Sequence, residues 1–333
     1  MMTLKLNKMA ALVGVALGML TTPSAFAAAE GMGQAVRQLS AFGFFNNATG
    51  IILNAAPGGD FTQFSAFDNA STSATLNGVT IGQTGNTLPV SPPTDFLQKC
   101  LGACPYGENI YTQHTIATDS GKTFSRSDQQ LIGVVVAGIP KAGGGFEPTP
   151  ASSNLVAETR ISGSGTGNAQ TTSGTGGTFN FTVANNGLKV LIDFSAKDWL
   201  YALVNPALDA FASTSLSFTL RNITAGGGLV FQWAPDGSLG GIFGGVELLD
   251  PCSLNNSVSA NFTLPNIAVS SACTGHFQAV TPALIAGNLY QLSFAETVTS
   301  AATVVPEPGS LALVGAALAG LGLARRRRAS MAA

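Results

Sequence analysis

The sequence predicts an all-β body, a β-sandwich of jelly-roll type, set between two terminal targeting segments. Three observations predict it. Short runs alternate apolar and polar residues with period two, as in Phe179-Asn180-Phe181-Thr182-Val183. Gly, Asn, Pro and Ser clusters punctuate those runs. Only 10% of the chain is charged and glycine supplies 40 residues, with Ser, Thr, Asn, Phe and Val making up much of the rest, which suits a secreted β protein better than a cytosolic enzyme.

The first element is a secretory signal over residues 1–27. Lys5 and Lys8 form a short positive region, Met9 to Leu20 is apolar or glycine throughout, and Ala25-Phe26-Ala27 fits a small-x-small cleavage site. Twelve apolar residues are few for a span, which needs about 20, and Pro23 interrupts before the cleavage site.

The body, 28–304, is long enough for one large β domain or for two lobes divided near residue 150. Pro89 to Pro105, rich in proline and carrying two cysteines, reads as a long loop pinned by a local disulfide. Gly163 to Gly177 reads as a Gly/Ser/Thr-rich loop or rim. Strands are expected at Phe179–Val183, Leu188–Phe194, Leu216–Leu220 and Tyr290–Phe294. Asn185-Asn186-Gly187 supplies the positive φ angles of a tight turn, which predicts a hairpin between the first two. Ala196 to Phe211 fits both helical and strand spacing, and Pro206 would end either element; its strand neighbours favour a strand with an irregular continuation, a short helix being the alternative.

Six of the 15 basic residues lie in the terminal segments, whereas 16 of the 17 acidic residues lie in the body, so nine basic against sixteen acidic residues give the body a formal charge of −7. Without basic patches to neutralise phosphates, nucleic acid is excluded as a partner. Four cysteines in an exported chain predict disulfides, and of three possible connectivities proximity favours Cys100 with Cys104 and Cys252 with Cys273. Two histidines, His114 and His276, are too few and too scattered to complete a zinc site, so no metal or other cofactor is expected.

No catalytic constellation emerges. A Gly-x-Ser-x-Gly elbow is missing. Ser120-Gly121-Lys122-Thr123 imitates the end of a phosphate loop, but Ile116 stands where its first glycine belongs. Glu247 with Asp250, and Asp193 with Asp198, are the nearest carboxylate pairs for glycoside hydrolysis. Trp199, Tyr201 and Trp233 are the aromatics that could stack on sugars if exposed; core packing is their ordinary role.

The last element has three parts in order. Val305, Pro306, Glu307, Pro308, Gly309 and Ser310 form an extended peptide that two prolines keep from starting a helix. An apolar run from Leu311 to Ala324 follows, predicting a transmembrane helix over 310–324. Arg325, Arg326, Arg327 and Arg328 then hold the end on the cytoplasmic side.

This combination over 305–328 closely resembles the PEP-CTERM sorting signal of exported proteins from Gram-negative bacteria. The resemblance implies recognition by an exosortase-type processing enzyme, transient residence in the inner membrane, delivery to the outer surface or medium, and association with exopolysaccharide and biofilm. Val230 to Gly237, with its Trp-Ala-Pro-Asp-Gly turn, is similar to a pattern of other PEP-CTERM β domains. The expected function is therefore that of a non-catalytic surface or matrix protein. The alternatives are a carbohydrate-binding module and, behind it, a secreted glycan hydrolase.

Overall fold

Alternation along the chain is converted into two stacked sheets. A computed structural model describes residues 30–304 except 57, 88–94, 105–110, 112, 114–120, 139–149, 163–166, 206–207 and 262–266, and in addition residues 316, 317 and 320. The signal segment 1–27 and the sorting residues Val305 to Ser310 and Arg325 to Arg328 lie outside the described residues.

The strands are β1 (Glu30–Asn46), β2 (Phe61–Leu76), β3 (Val79–Thr87), β4 (Asp95–Gly102), β5 (Phe124–Ile132), β6 (Ala151–Ser162) and β7 (Asn168–Val183). They continue with β8 (Val190–Val204), β9 (Leu208–Asn222), β10 (Gly228–Trp233), β11 (Val246–Leu249), β12 (Asn256–Ala260), β13 (Ile267–Val280) and β14 (Leu289–Val304). One sheet runs β11-β13-β8-β1-β6-β5-β4; the second runs β10-β9-β14-β7-β2-β3, with β12 also paired to β9. β1 lies between β6 and β8, and β5 pairs with β6, so strands from both sides of residue 150 share one ladder. Two seven-stranded sheets face to face make a β-sandwich.

Inward-facing residues divide the interior into two apolar regions. One is dominated by phenylalanine: the Phe42 ring lies 5.0 Å from Phe294 and 5.9 Å from Phe218, both edge-on, and Phe194 stacks on Phe277 at 5.3 Å. The other is built from small residues, among them Ala35, Ala157, Ala202, Ala210, Ala212 and Ala302. There the sheets nearly touch: a Cβ on Gly33 would sit 2.4 Å from the Phe211 carbonyl oxygen and 3.0 Å from that of Ala301. A bulge in β1 links the two regions. The register shifts between Ser40 and Gly43, Ala41 takes φ 53°, and the inward parity passes from Arg37 and Leu39 to Phe42 and Phe44.

The expected strands at 179–183, 216–220 and 290–294 lie within β7, β9 and β14, and Ala196 to Val204 is strand, not helix. Four expectations need correction. Leu188 and Lys189 precede β8, Leu188 forming an isolated bridge with Leu284. Asn185-Asn186-Gly187 is a turn, with Gly187 at φ 86°, but no hairpin, because β7 pairs with β14 and β2 while β8 joins β1 and β13 in the other sheet. Both strands still aim their phenylalanines at one core, so local alternation is the same for an arch as for a hairpin. The Gly163–Gly177 loop gives way to strand from Asn168, and Gly176 is needed there because a Cβ would meet Asn69 Oδ1 at 2.8 Å and the Phe294 oxygen at 2.9 Å. The Pro89–Pro105 loop contains β4, an edge strand where flanking prolines are tolerated.

Gly33→Ala is expected to destabilise the protein by about 3 kcal/mol or to prevent folding, since the clash is with backbone that cannot turn aside. Gly228→Ala, where an added Cβ meets nothing within 4 Å, should stay within about 0.5 kcal/mol of the parent. Urea unfolding under oxidising conditions measures both.

Candidate functional site

Between the two apolar regions the interior is polar. Arg37 on β1 is fully buried; its Nε donates to Asp198 Oδ1 and Oδ2 at 2.9 and 3.1 Å, and its terminal nitrogens donate to the Ser215 and Leu254 carbonyls. Burial works against the guanidinium charge, yet the Asp198 carboxylate outweighs it and holds Arg37 above its ordinary range. Glu296 on β14 faces this pair from the opposite sheet and accepts a hydrogen bond from Ser153 Oγ. Burial pushes its carboxyl up to about 7, against the pull of Arg37 and Ser153. Alternation carried the signal for both residues: Arg37 and Glu296 occupy inward positions in Ala35-x-Arg37-x-Leu39 and Phe294-x-Glu296-x-Val298.

A second buried ionic group lies on the outer face of the first sheet. Arg126 contacts Asp128 at 3.1 Å and Glu158 at 3.4 Å, and Arg160 pairs with Glu30. Tyr111 covers it, donating from its hydroxyl to Asp128 Oδ1 at 3.3 Å while its ring rests with Val36 and Val156. Beside Tyr111 the sheet opens into a recess of about 230 Å³ lined by Val36, Gln38, Tyr111, Gln113, Lys197 and Trp199. Alternation along β8 puts Lys197, Trp199 and Tyr201 on one face, and the Trp199 and Tyr201 rings stack at 5.2 Å and 8°. Both aromatics are half-buried. Tyr111, Gln38 and Lys197 were not picked out from sequence, because only pairing of β1 with β8 brings Gln38 opposite Lys197.

The residues singled out from sequence are dispersed. Trp233 is fully buried, stacks on Phe218 at 5.3 Å and donates from Nε1 to Glu247. Glu247 and Asp250 do come together, but beneath the Trp-Ala-Pro-Asp-Gly turn: Glu247 Oε2 accepts from Gly240 N–H at 2.8 Å, and Asp250 Oδ2 accepts from Asp236 and Gly237 N–H at 2.8 and 2.9 Å. Burial raises Asp250 above the ordinary carboxylate range despite those two amides, and the neighbouring Glu247 adds to the rise. This pair clamps a turn. Asp193 and Asp198 lie on opposite faces of β8, so they cannot flank one bond; Asp193 holds His276 and Gln278 instead. His114 lies outside the described residues. Gly121, at φ 79°, turns the chain into β5, and Thr123 Oγ1 bonds the Ser162 backbone, so this stretch is a strand entry. Disulfides join Cys100 to Cys104 and Cys252 to Cys273, the latter fastening the 250s turn to β13, where Gly275 leaves room for Pro251.

Comparison with known proteins gives one informative match. The model of the PEP-CTERM protein-sorting motif matches residues 304–328, which marks the chain as an exported protein sorted by an exosortase. No curated protein matches. Among solved structures, that of the infectious bursal disease virus Gx strain is 10% identical over 85% of this chain and 82% of that one, with a TM-score of 0.10, a likeness that carries no argument. Among the described residues no helix is long and apolar enough to cross a membrane; of the tail, Ala316, Ala317 and Gly320 are described, as helix.

The raised Glu296 carboxyl makes stability depend on pH. The folded protein keeps a proton that the unfolded chain releases between its ordinary 4.5 and about 7, so this contribution is full below pH 4.5 and is lost as pH rises through 7. Unfolding free energy should fall by up to about 3 kcal/mol from this group between pH 4.5 and 8. Glu296→Gln should flatten that part of the profile, as measured by denaturant titrations across the range.

Proposed function

We infer that the protein is a non-catalytic surface or matrix component, released or displayed by an exosortase and associated with exopolysaccharide. One observation carries this reading: the sorting motif begins at 304, where the last strand ends. Since β14 closes at Val304, processing among Pro306 to Ser310 removes none of the described strands and leaves both described sheets intact. Two disulfides suit an oxidising compartment. In this reading the segment 1–27 is cleaved on export, the helix over 310–324 holds the protein in the inner membrane only until processing, and Arg325 to Arg328 stay cytoplasmic. The charged groups that most resemble a catalytic set are engaged in structure: Asp198 with Arg37, Glu247 and Asp250 with a turn.

Two outcomes test it. Replacing Pro306 and Glu307 by alanine should leave full-length protein in the inner-membrane fraction, whereas the parent appears shortened at the surface or in the medium; identical fractionation of the two on immunoblots would rule out sorting through this motif. The exported protein should co-sediment saturably with exopolysaccharide from its producing cells, above an unrelated acidic β protein. Retention no greater than that control rejects the polysaccharide partner.

A further inference from the structure

We propose that the recess beside Trp199 binds one pyranose ring of a neutral polysaccharide. The proposal refines the exopolysaccharide reading by naming the site and the chemistry of the sugar, and it stands on the build of the recess.

Tyr201 covers one face of the Trp199 indole, and Lys197, two residues earlier on the same face of β8, borders the recess together with Trp199. Trp199 lines the recess and packs against Val36, Tyr111 and Val156, and its indole is the aromatic surface there. A pyranose has an apolar face of C–H bonds and a rim of hydroxyls, so it wants a flat aromatic on one side and hydrogen-bonding groups around its edge. Gln38, Gln113 and Lys197 supply that edge. Gln38 spends its Nε2 on the Tyr111 carbonyl at 3.3 Å, which leaves Oε1 to accept from a hydroxyl. Lys197 is exposed and makes no ion pair among the described residues, so its ammonium is available as a donor.

The Tyr111 wall is held in place. Tyr111 is anchored through its hydroxyl to Asp128, which belongs to the buried group with Arg126, and its ring is seated on Val36 and Val156. A wall fixed in this way costs little ordering on binding. The volume of about 230 Å³ falls below the roughly 300–1,000 Å³ of sites for drug-sized ligands, which suits a single ring of a longer chain. Charge selects the class of glycan. The body carries a formal −7, which repels a polyanion, and a lone ammonium beside two amides serves hydroxyls without the guanidinium forks that carboxylates attract.

The test uses the full chain, exported with its own signal and purified in mild detergent, in affinity electrophoresis through gels containing hydroxyethylcellulose, galactomannan or polygalacturonate. Retardation by at least one neutral polymer is expected, with a change in tryptophan emission that reports Trp199, because the other tryptophan, Trp233, is fully buried. Trp199→Ala should weaken retardation about tenfold, the loss of one stacking contact. Lys197→Ala, an exposed change, should also weaken it; Trp233 emission checks the folding of Trp199→Ala, and an unchanged urea midpoint that of Lys197→Ala. The proposal is overturned if neither neutral polymer retards the parent, if only polygalacturonate does, or if both variants are retarded like the parent. Co-sedimentation with the native exopolysaccharide that survives Trp199→Ala would sink this site and spare the broader reading. Binding of a defined neutral polymer without that co-sedimentation would do the reverse.

Discussion

The ion pair of Arg37 with Asp198 is the interaction around which the sandwich is organised. Taking both charges out of water costs several kcal/mol each, and attraction offsets this only when every donor and acceptor is used. Here the guanidinium forks onto Asp198 within its own sheet and also reaches the Ser215 carbonyl of the other sheet and the Leu254 carbonyl of the turn above. One side chain thus ties two sheets and a turn together, and a slip of one residue in β1 would carry it to the wrong face. The pair acts as a register pin more than as a source of net stability.

On either side of this pin the interior changes character, and the β1 bulge makes that change possible. Phe42 and Phe44 need a wide gap between the sheets, while Gly33 and its alanine surroundings need a narrow one. A single strand running straight through could not keep both Leu39 and Phe42 inward; the extra residue at 40–41 does so. Trp233, Glu247, Asp250 and the Cys252–Cys273 bridge then close the phenylalanine end, which explains why that tryptophan is structural while Trp199, on the outer face, remains at the surface.

What could be read from sequence followed the reach of the signal. Period-two runs at Phe179, Leu216 and Tyr290 identify strands, and both disulfides follow from proximity, because these signals are local. The sorting motif was equally plain, being a contiguous peptide. β1 carries only a short signal: Ala35-x-Arg37-x-Leu39 alternates, but glycines and glutamines surround it and the bulge breaks the pattern before Phe42. Partnership was hidden too. A turn such as Asn186-Gly187 reverses the chain whether the next strand lies beside the last or in the facing sheet, and only the packing of the phenylalanines decides. The Trp199 recess depends on three separate stretches of chain, so no window of sequence contains it.

The position of β14 has a consequence for biogenesis. It is the last strand among the described residues, yet it sits in the middle of its sheet, with β9 and β10 on one side and β7, β2 and β3 on the other. In a chain threaded across a membrane from its N-terminus, those two halves have no joining strand until residue 304 has emerged. The second sheet is therefore complete only once β14 has crossed, with the sorting peptide next in line. A chain cut short before β14 leaves two open sheet edges, at β7 and β9, whose unpaired backbone groups invite pairing with other chains.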